Sequence, residues 1–277
     1  EQLQDPVLKS LVGIALVQSG KQREGEKVLN ATLQDNPNNT SVRLTLARHY
    51  ILSRQPEKAV KLLKEGIASK ADNGMQRMLV SAYLAADNRE KALDEAQRLA
   101  ASKPEQAANY HVLGRTALLA KQYDSSAKAL TRALQLQADY APAQADFAQL
   151  KLVTGKPREA SNIYQQMIAN NADNAATIKG FITAWEMQNG KSADGKAVES
   201  AVLKLSQSDT AHAVLAEYHM RSNRIEDAKR LLDAIDITSE NKYAIYVKQF
   251  YSSMKSSAAL KAGNIDQARQ FGCFQPG

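Results

Sequence analysis

Few residues in this sequence have the types and spacing that chemistry requires. His212 and His219 lie seven positions apart, so both imidazoles could rise from one face of a helix. Metal pairs on a single helix usually need a spacing of three or four, and a pair of surface histidines is the better reading. The tetrapeptide NGKS at Asn189–Ser192 has the ending of a phosphate loop, in which backbone amides and a lysine hold the phosphates. The upstream position that must be glycine holds Trp185, however, and no strand precedes it. The single cysteine, Cys273, can form neither an internal disulfide nor a cysteine metal cluster. There is no His-Glu-x-x-His and no Gly-x-Ser-x-Gly. The reading is a protein that is not an enzyme, with no catalytic, cofactor or metal site.

The bulk numbers set further bounds. The chain has 277 residues, 44% of them hydrophobic, which is enough for a real core. No run approaches the length of a membrane span. The sequence starts at Glu1, without a charged-then-apolar leader, and is read as a mature form or a fragment. The formal charge is +7, from 36 Lys and Arg against 29 Asp and Glu. A basic balance points towards nucleic acid, anionic lipid or an acidic partner, but here charges of both signs alternate as on a solvated helical surface. The scarcity of cysteine suits both the cytoplasm and a bacterial periplasm.

What organises the chain is a period. Gly25, Ala59, Ala92, Ser126 and Ala160 are spaced 34, 33, 34 and 34, and Ala228 follows after twice 34. Ala268 follows after 40, so this reading needs an insertion near the end. A second ladder, Val12, Leu46, Leu79, Leu113, Phe147, Phe181 and Leu215, keeps the same phase, usually with a small residue next in line. Within one unit Tyr110, Leu113, Ala117 and Leu118, then Ala127, Leu130, Ala133 and Leu134, follow helical spacing on either side of a short turn at AKQYD. Two amphipathic helices per unit are expected, with the small residues at the crossing where the backbones approach. Proline agrees with this phase. Pro6 and Pro142 open first helices, Pro56 and Pro157 lie in hairpin turns, Pro37 and Pro104 end units, and Pro276 is in the tail. Eight units are predicted, starting near Pro6, Thr40, Asn73, Ala107, Ala141, Ala175, Asp209 and Gln249.

This unit resembles the tetratricopeptide repeat. The residues that carry the resemblance are Leu113-Gly114, Tyr50, Tyr83, Tyr123, Ala59, Ala92, Ala160, Ala228, Pro37 and Pro104, over roughly Pro6 to Phe271. Several units lack the early tryptophan, and only two keep the closing proline. The resemblance implies an all-α, right-handed superhelical solenoid of about eight helical hairpins. It would form a single array over 1–277, with regular repeats at about 6–174, an irregular one at 175–208, a repeat at 209–242, and an aromatic insert with a terminal repeat at 243–277. The glycines in QNGKSADGKAV predict a loosened turn. Tyr243, Tyr246, Phe250 and Tyr251 make an aromatic stripe, either a docking surface or, more commonly, a face packed on the neighbouring repeat.

In such an array the first helix of each unit lines the inner face, which suits an extended peptide or a partner helix. The register places Arg48, Arg77, His111, Arg115, Gln149, Lys179, Glu186 and Glu217 there as candidate partner-binding residues, giving a partly basic groove for a protein or peptide with an acidic segment. A chaperone-type clamp for a terminal carboxylate is rejected. Its slots hold Leu44 and Arg48 with Met78, or His111 and Arg115 with Asp146, and its asparagines are missing. The alternative is a helical-repeat nucleic-acid binder, disfavoured because stacking aromatics do not line the predicted inner face. Pairing between chains through terminal repeats is a further expectation. The turn style and the Ala-Leu-Gln-rich second helices resemble the exosortase-associated (PEP-CTERM system) tetratricopeptide lipoproteins and the exopolysaccharide-export tetratricopeptide proteins. That resemblance implies a periplasmic or outer-membrane-associated scaffold, with the cytoplasm as the other compatible compartment.

Overall fold

A computed structural model describes residues 6–70, 72–191, 195–235, 240–261 and 264. They form fifteen helices and, among the described residues, no strand. In order these are α1 (Pro6–Gln18), α2 (Gln22–Asp35), α3 (Thr40–Leu52), α4 (Pro56–Ser69), α5 (Asn73–Ala85), α6 (Arg89–Ser102), α7 (Ala107–Leu119) and α8 (Tyr123–Leu136). There follow α9 (Ala141–Val153), α10 (Pro157–Asn170), α11 (Ala175–Asn189), α12 (Lys196–Leu203), α13 (Asp209–Arg221), α14 (Ile225–Asp233) and α15 (Lys242–Lys261). Seven first helices begin at the residues the period predicts. No described helix is long and apolar enough to cross a membrane.

Local chemistry explains where these helices start and stop. Asn39, Asp72, Asn174, Ser208 and Asn241 precede α3, α5, α11, α13 and α15. Their side chains accept the backbone N–H three residues on, at 2.8–3.2 Å, each satisfying one donor that the first turn leaves open. First helices end in a repeated left-handed stop. Gly20, Arg54, Asp87, Lys121, Gly155 and Asn223 have φ between 54° and 86°, at the same place in six hairpins. In each case the next residue's N–H reaches back five residues, as Gln55 N does to Tyr50 O at 2.8 Å and Gln122 N to Ala117 O at 2.9 Å. This double closure of the last turn is the Schellman motif. At Arg54, Asp87, Lys121 and Asn223 it is built without glycine.

The chain divides into two compact units, residues 1–150 and 151–277. In the first, Leu29, Val42, Leu46, Ala59 and Leu63 are fully buried in one cluster, and Leu130, Ala133 and Ala143 in another. In the second, Ala160, Ile178, Leu215 and Ala228 are fully buried. The small-residue ladder is the crossing point: Gly25, Ala59, Ala92, Ser126, Ala160 and Ala228 are all buried. At Gly114 a β-carbon would stand 2.6 Å from Leu130 Cγ, so glycine there reflects close approach of α7 and α8.

The structure departs from expectation in three places. Val12 is 42% exposed, although Leu46, Leu79, Phe181 and Leu215 on its ladder are buried. The hairpin at 175–208 has the expected irregularity: α11 runs on to Asn189, Gly190 and Gly195 both take positive φ, and α12 has only eight residues. The last unit does not begin at Gln249. Its first helix begins at Lys242, thirty-three residues after Asp209, and the extra length is absorbed by a 20-residue helix instead of an inserted segment. The aromatic stripe splits, with Tyr251 buried and Tyr243 half-buried while Tyr246 and Phe250 stay 62% and 51% exposed. Ala268, Cys273 and Pro276 lie outside the described residues, as does Ser192 of NGKS. His212 and His219 form no shared site: His212 Nδ1 sits 3.0 Å from Ser208 O, and His219 is buried with Nε2 3.1 Å from Glu199 Oε2.

Candidate partner-binding surface

In the first unit the predicted inner-face residues fall into separate environments. Arg48 is exposed on α3, and Gln149 is exposed on α9. Arg77, on α5, donates from Nη1 to Asn109 Oδ1 at 3.1 Å, while Asn109, fully buried, donates to Leu99 O at 3.2 Å. Arg77 is therefore partly committed to tying one repeat to the next. His111 and Arg115, both on α7, meet one acid: His111 Nε2 lies 2.8 Å and Arg115 Nη1 3.5 Å from the Asp146 carboxylate on α9. Tyr140 meets the His111 ring edge-on, with centroids 5.5 Å apart. The basic groove expected here is thus largely neutralised from within. What remains open is Arg48 and the outer part of Arg115, whose side chain is 59% exposed.

In the second unit the structure brings Lys179, Glu186 and Glu217 into one groove between α11 and α13, together with Ile182, Thr183, Val214, Tyr218 and Arg221. Glu217 is its hub. Its carboxylate accepts from Lys179 Nζ at 2.7 Å and from the Tyr243 hydroxyl at 2.5 Å, and it pairs with Arg221 one turn on. Lys179 also stands 5.1 Å over the Tyr243 ring. Burial would raise the Glu217 pKa, but hydrogen bonds from Lys179 and Tyr243 and the charges of Lys179 and Arg221 outweigh it and hold the carboxyl below its ordinary value. Burial, then the bond to Glu217, pushes the Tyr243 phenol up. Tyr218 donates to Glu186 Oε1 at 2.9 Å, and burial followed by that carboxylate pushes its phenol up to about 12. Both tyrosines stay neutral donors across the physiological range.

The groove continues past Glu217 and Arg221 into an apolar stretch between α13 and α15, lined by Met220, Tyr246, Val247, Phe250 and Met254. This corrects the expectation that aromatics are absent from the inner face. The ladder of Glu217 reaches Phe250 in one more step of thirty-three, and Tyr246 lies one turn before it. Tyr218, Arg221 and Tyr243 were the other residues that sequence reasoning did not place at the site. Tyr218 and Arg221 could have been found from their place beside Glu217 on the inner side of α13. Tyr243 could not, because its role depends on the bond to Glu217. Among the described residues, no group of three or more potential metal ligands comes together.

Comparison with known proteins agrees with this architecture. The tetratricopeptide repeat family model matches residues 16–81 and 117–183. A tetratricopeptide repeat protein from Parabacteroides merdae is similar in fold with 14% identity and a TM-score of 0.57, covering 95% of this chain and 98% of that one. The Thermus thermophilus tetratricopeptide protein TTC0263 is 20% identical with a TM-score of 0.56, covering 65% of this chain and 99% of its own. Pseudomonas aeruginosa pilF is 15% identical with a TM-score of 0.55, over 82% and 96% of the two chains. No curated protein matches the chain in sequence. The tetratricopeptide repeat model thus matches just under half of the chain, and the solved structures share its helical-repeat fold.

Proposed function

We propose that this protein is a non-catalytic scaffold that holds a segment of a partner protein along the inner face of its first helices, chiefly in the groove of the second unit. Tetratricopeptide proteins generally act as protein-interaction scaffolds. The observation that carries the reading for this chain is the run of groups from Lys179 and Glu186 through Glu217 and Tyr218 to the exposed Tyr246 and Phe250. A polar stretch able to exchange hydrogen bonds with a peptide backbone leads into an apolar stretch able to seat side chains, the two requirements of peptide recognition. Acidic residues of the partner would meet the outer donors of Arg221, 73% exposed here. Glu186 and Glu217 beside the aromatics oppose a phosphate backbone, so the nucleic-acid reading gains no support from the groove. We further propose a setting in the bacterial envelope, periplasmic or outer-membrane-associated, within an exopolysaccharide assembly, export or protein-sorting system. Its support is the sequence resemblance in the turns and second helices.

The test is affinity capture from the native cell with the wild-type chain and with Tyr246→Ser plus Phe250→Ser. These side chains are exposed, so the variant keeps its fold, and the expected result is loss of the specifically retained partner. Equal retention by the folded variant overturns the groove assignment. Fractionation checks the setting independently: recovery in the cytosol alone contradicts the envelope proposal.

A further inference from the structure

We infer that the inner face of α3, α5 and α7, in the first unit, is a second binding site. Its occupant is an extended partner segment in which an acidic residue adjoins an apolar one and the pair recurs about six residues later. The inference uses none of the residues of the groove in the second unit. It starts from one register position. Leu52 and Leu119, the last residues of α3 and α7, are 76% and 48% exposed, and their counterpart in α5, Ala85, is exposed as well. This openness belongs to the position and not to an end of the chain. Repeats precede and follow all three, and later repeats hold Val153 and Met187 at the same place, 46% and 52% exposed. Large apolar side chains left in water at one position of four repeats mark a surface that a partner covers.

Charge names the occupant. α1, α3, α5 and α7 contain no aspartate or glutamate. Several of their cations are committed within the fold: Lys9 to Asp35, the buried Arg43 to the Leu62 and Pro37 carbonyls, and Arg77 to Asn109. Arg48 is exposed and meets no carboxylate among the described residues, and the Arg115 side chain stays 59% exposed despite Asp146. These two stand one helical turn before Leu52 and Leu119, on the same face. Each pair sets a cation beside an apolar contact, and α5 contributes only the small Ser81 and Ala85 at the same two positions. α3 packs on α5, and α5 on α7. Two interhelical steps of about 8–10 Å cover about 16–20 Å, which an extended chain spans in about five to six residues. Six returns a side chain to the same side of the strand. Apolar side chains then reach the leucines, while their neighbours on the opposite side reach the arginines. Nucleic acid fits this face less well, because leucines accompany the arginines where bases need rings on which to stack.

The experiment is fluorescence anisotropy of labelled synthetic peptides titrated with the full chain. The probe is a short Gly/Ser peptide with a Leu-Glu pair repeated about six residues on. Binding is expected to weaken as salt rises, and to fall at least about tenfold when both glutamates of the peptide are replaced by lysine. Arg48→Glu with Arg115→Glu is expected to reverse that preference. Leu52→Ser with Leu119→Ser is expected to lose about tenfold for the Leu-Glu peptide. All four side chains are exposed, so helical circular dichroism is expected to stay unchanged in both variants. Tyr246→Ser with Phe250→Ser is expected to bind the peptide as the wild type does. Equal affinity for the glutamate and lysine peptides, or no measurable binding of the Leu-Glu peptide, overturns the inference. So does loss of binding in the aromatic variant, which would move the contact to the second unit. Displacement of the peptide by an oligodeoxythymidylate whose own binding ignores the leucine variant would give the face to nucleic acid and overturn it too.

Discussion

Neutralising Glu217 gives the most searching test of the groove, because three groups of the second unit depend on that one carboxylate. Glu217→Gln keeps the shape and one oxygen but removes the charge that Lys179, Tyr243 and Arg221 share. A hydrogen bond to an ionised group contributes about 1.5–3 kcal/mol. Lys179 and Arg221 are 41% and 73% exposed, so water compensates much of their loss and those two contribute surface-pair values only, about 0–1 kcal/mol each. The bond from half-buried Tyr243 survives in weakened form. The net loss at pH 7 is expected to be about 1–2 kcal/mol. Its pH dependence follows from the direction of the shift. A carboxyl held below its ordinary value when folded stabilises above its unfolded pKa, near 4.3, and that contribution disappears as pH falls through the folded value. The gap between wild type and variant should therefore be full at pH 7, still full at pH 5.5, and shrinking below about pH 4. Urea unfolding followed by circular dichroism at several pH values measures it. A gap of the same size at the lowest pH where both proteins fold would show that Gln acts through packing, and the account of Glu217 as an ionised hub would be wrong.

Three other outcomes follow from the repeat. Lys121→Gly should stabilise by about 1 kcal/mol and Gly155→Ala should destabilise by a similar amount, since a β-carbon at a left-handed helix stop costs about 1–2 kcal/mol; urea midpoints of the two variants should move in opposite directions. Ala160→Leu overpacks a fully buried crossing and should cost about 1–3 kcal/mol, read as a lowered urea midpoint with the helical spectrum retained. Asp146→Asn removes the common acid of His111 and Arg115, so retention on an immobilised polyanion should rise and fall away again at moderate salt; unchanged retention would mean those cations are not exposed by losing Asp146.

How much of this was legible in the sequence depends on the range of the interaction involved. Helix starts were readable because they rest on local chemistry repeated at a fixed interval. Pro56 opens α4 and Pro157 opens α10, while the buried ladder from Gly25 to Ala228 marks the crossings. The left-handed stops were half readable. Gly20 and Gly155 announce themselves, but Arg54, Asp87 and Lys121 take the same conformation with side chains that give no sign of it, because the closure of the helix end outweighs the local cost. The electrostatics of the site were not readable. Glu217 and Lys179 both appeared among the inner-face candidates, yet nothing in a one-dimensional register says that a carboxylate on α13 will be held between a lysine on α11 and a phenol on α15. Neighbouring inner faces exchange partners across thirty or more residues, and which charges cancel depends on side-chain reach as much as on spacing.

The aromatic end of the groove is a different case, since the information was present but anchored wrongly. Taking Ala268 as the next small residue forced a step of 40 and pushed Tyr246 and Phe250 into an apparent insert. Starting instead from the capped helix end, Asn241 stands thirty-three residues after Ser208, and both side chains cap the helix that follows. A cap fixes the first turn directly, whereas a small residue in the second helix is reached only after the length of the first helix has been assumed. With α15 lengthened to twenty residues that assumption fails, while the cap still gives the phase. Counted from Asn241, Phe250 takes the position of Glu217 and Tyr246 that of Ala213, and the inner face turns from charged to aromatic within a single repeat. The protein thus changes the chemistry of its groove by substitution at fixed positions behind a helix cap that is kept from one repeat to the next.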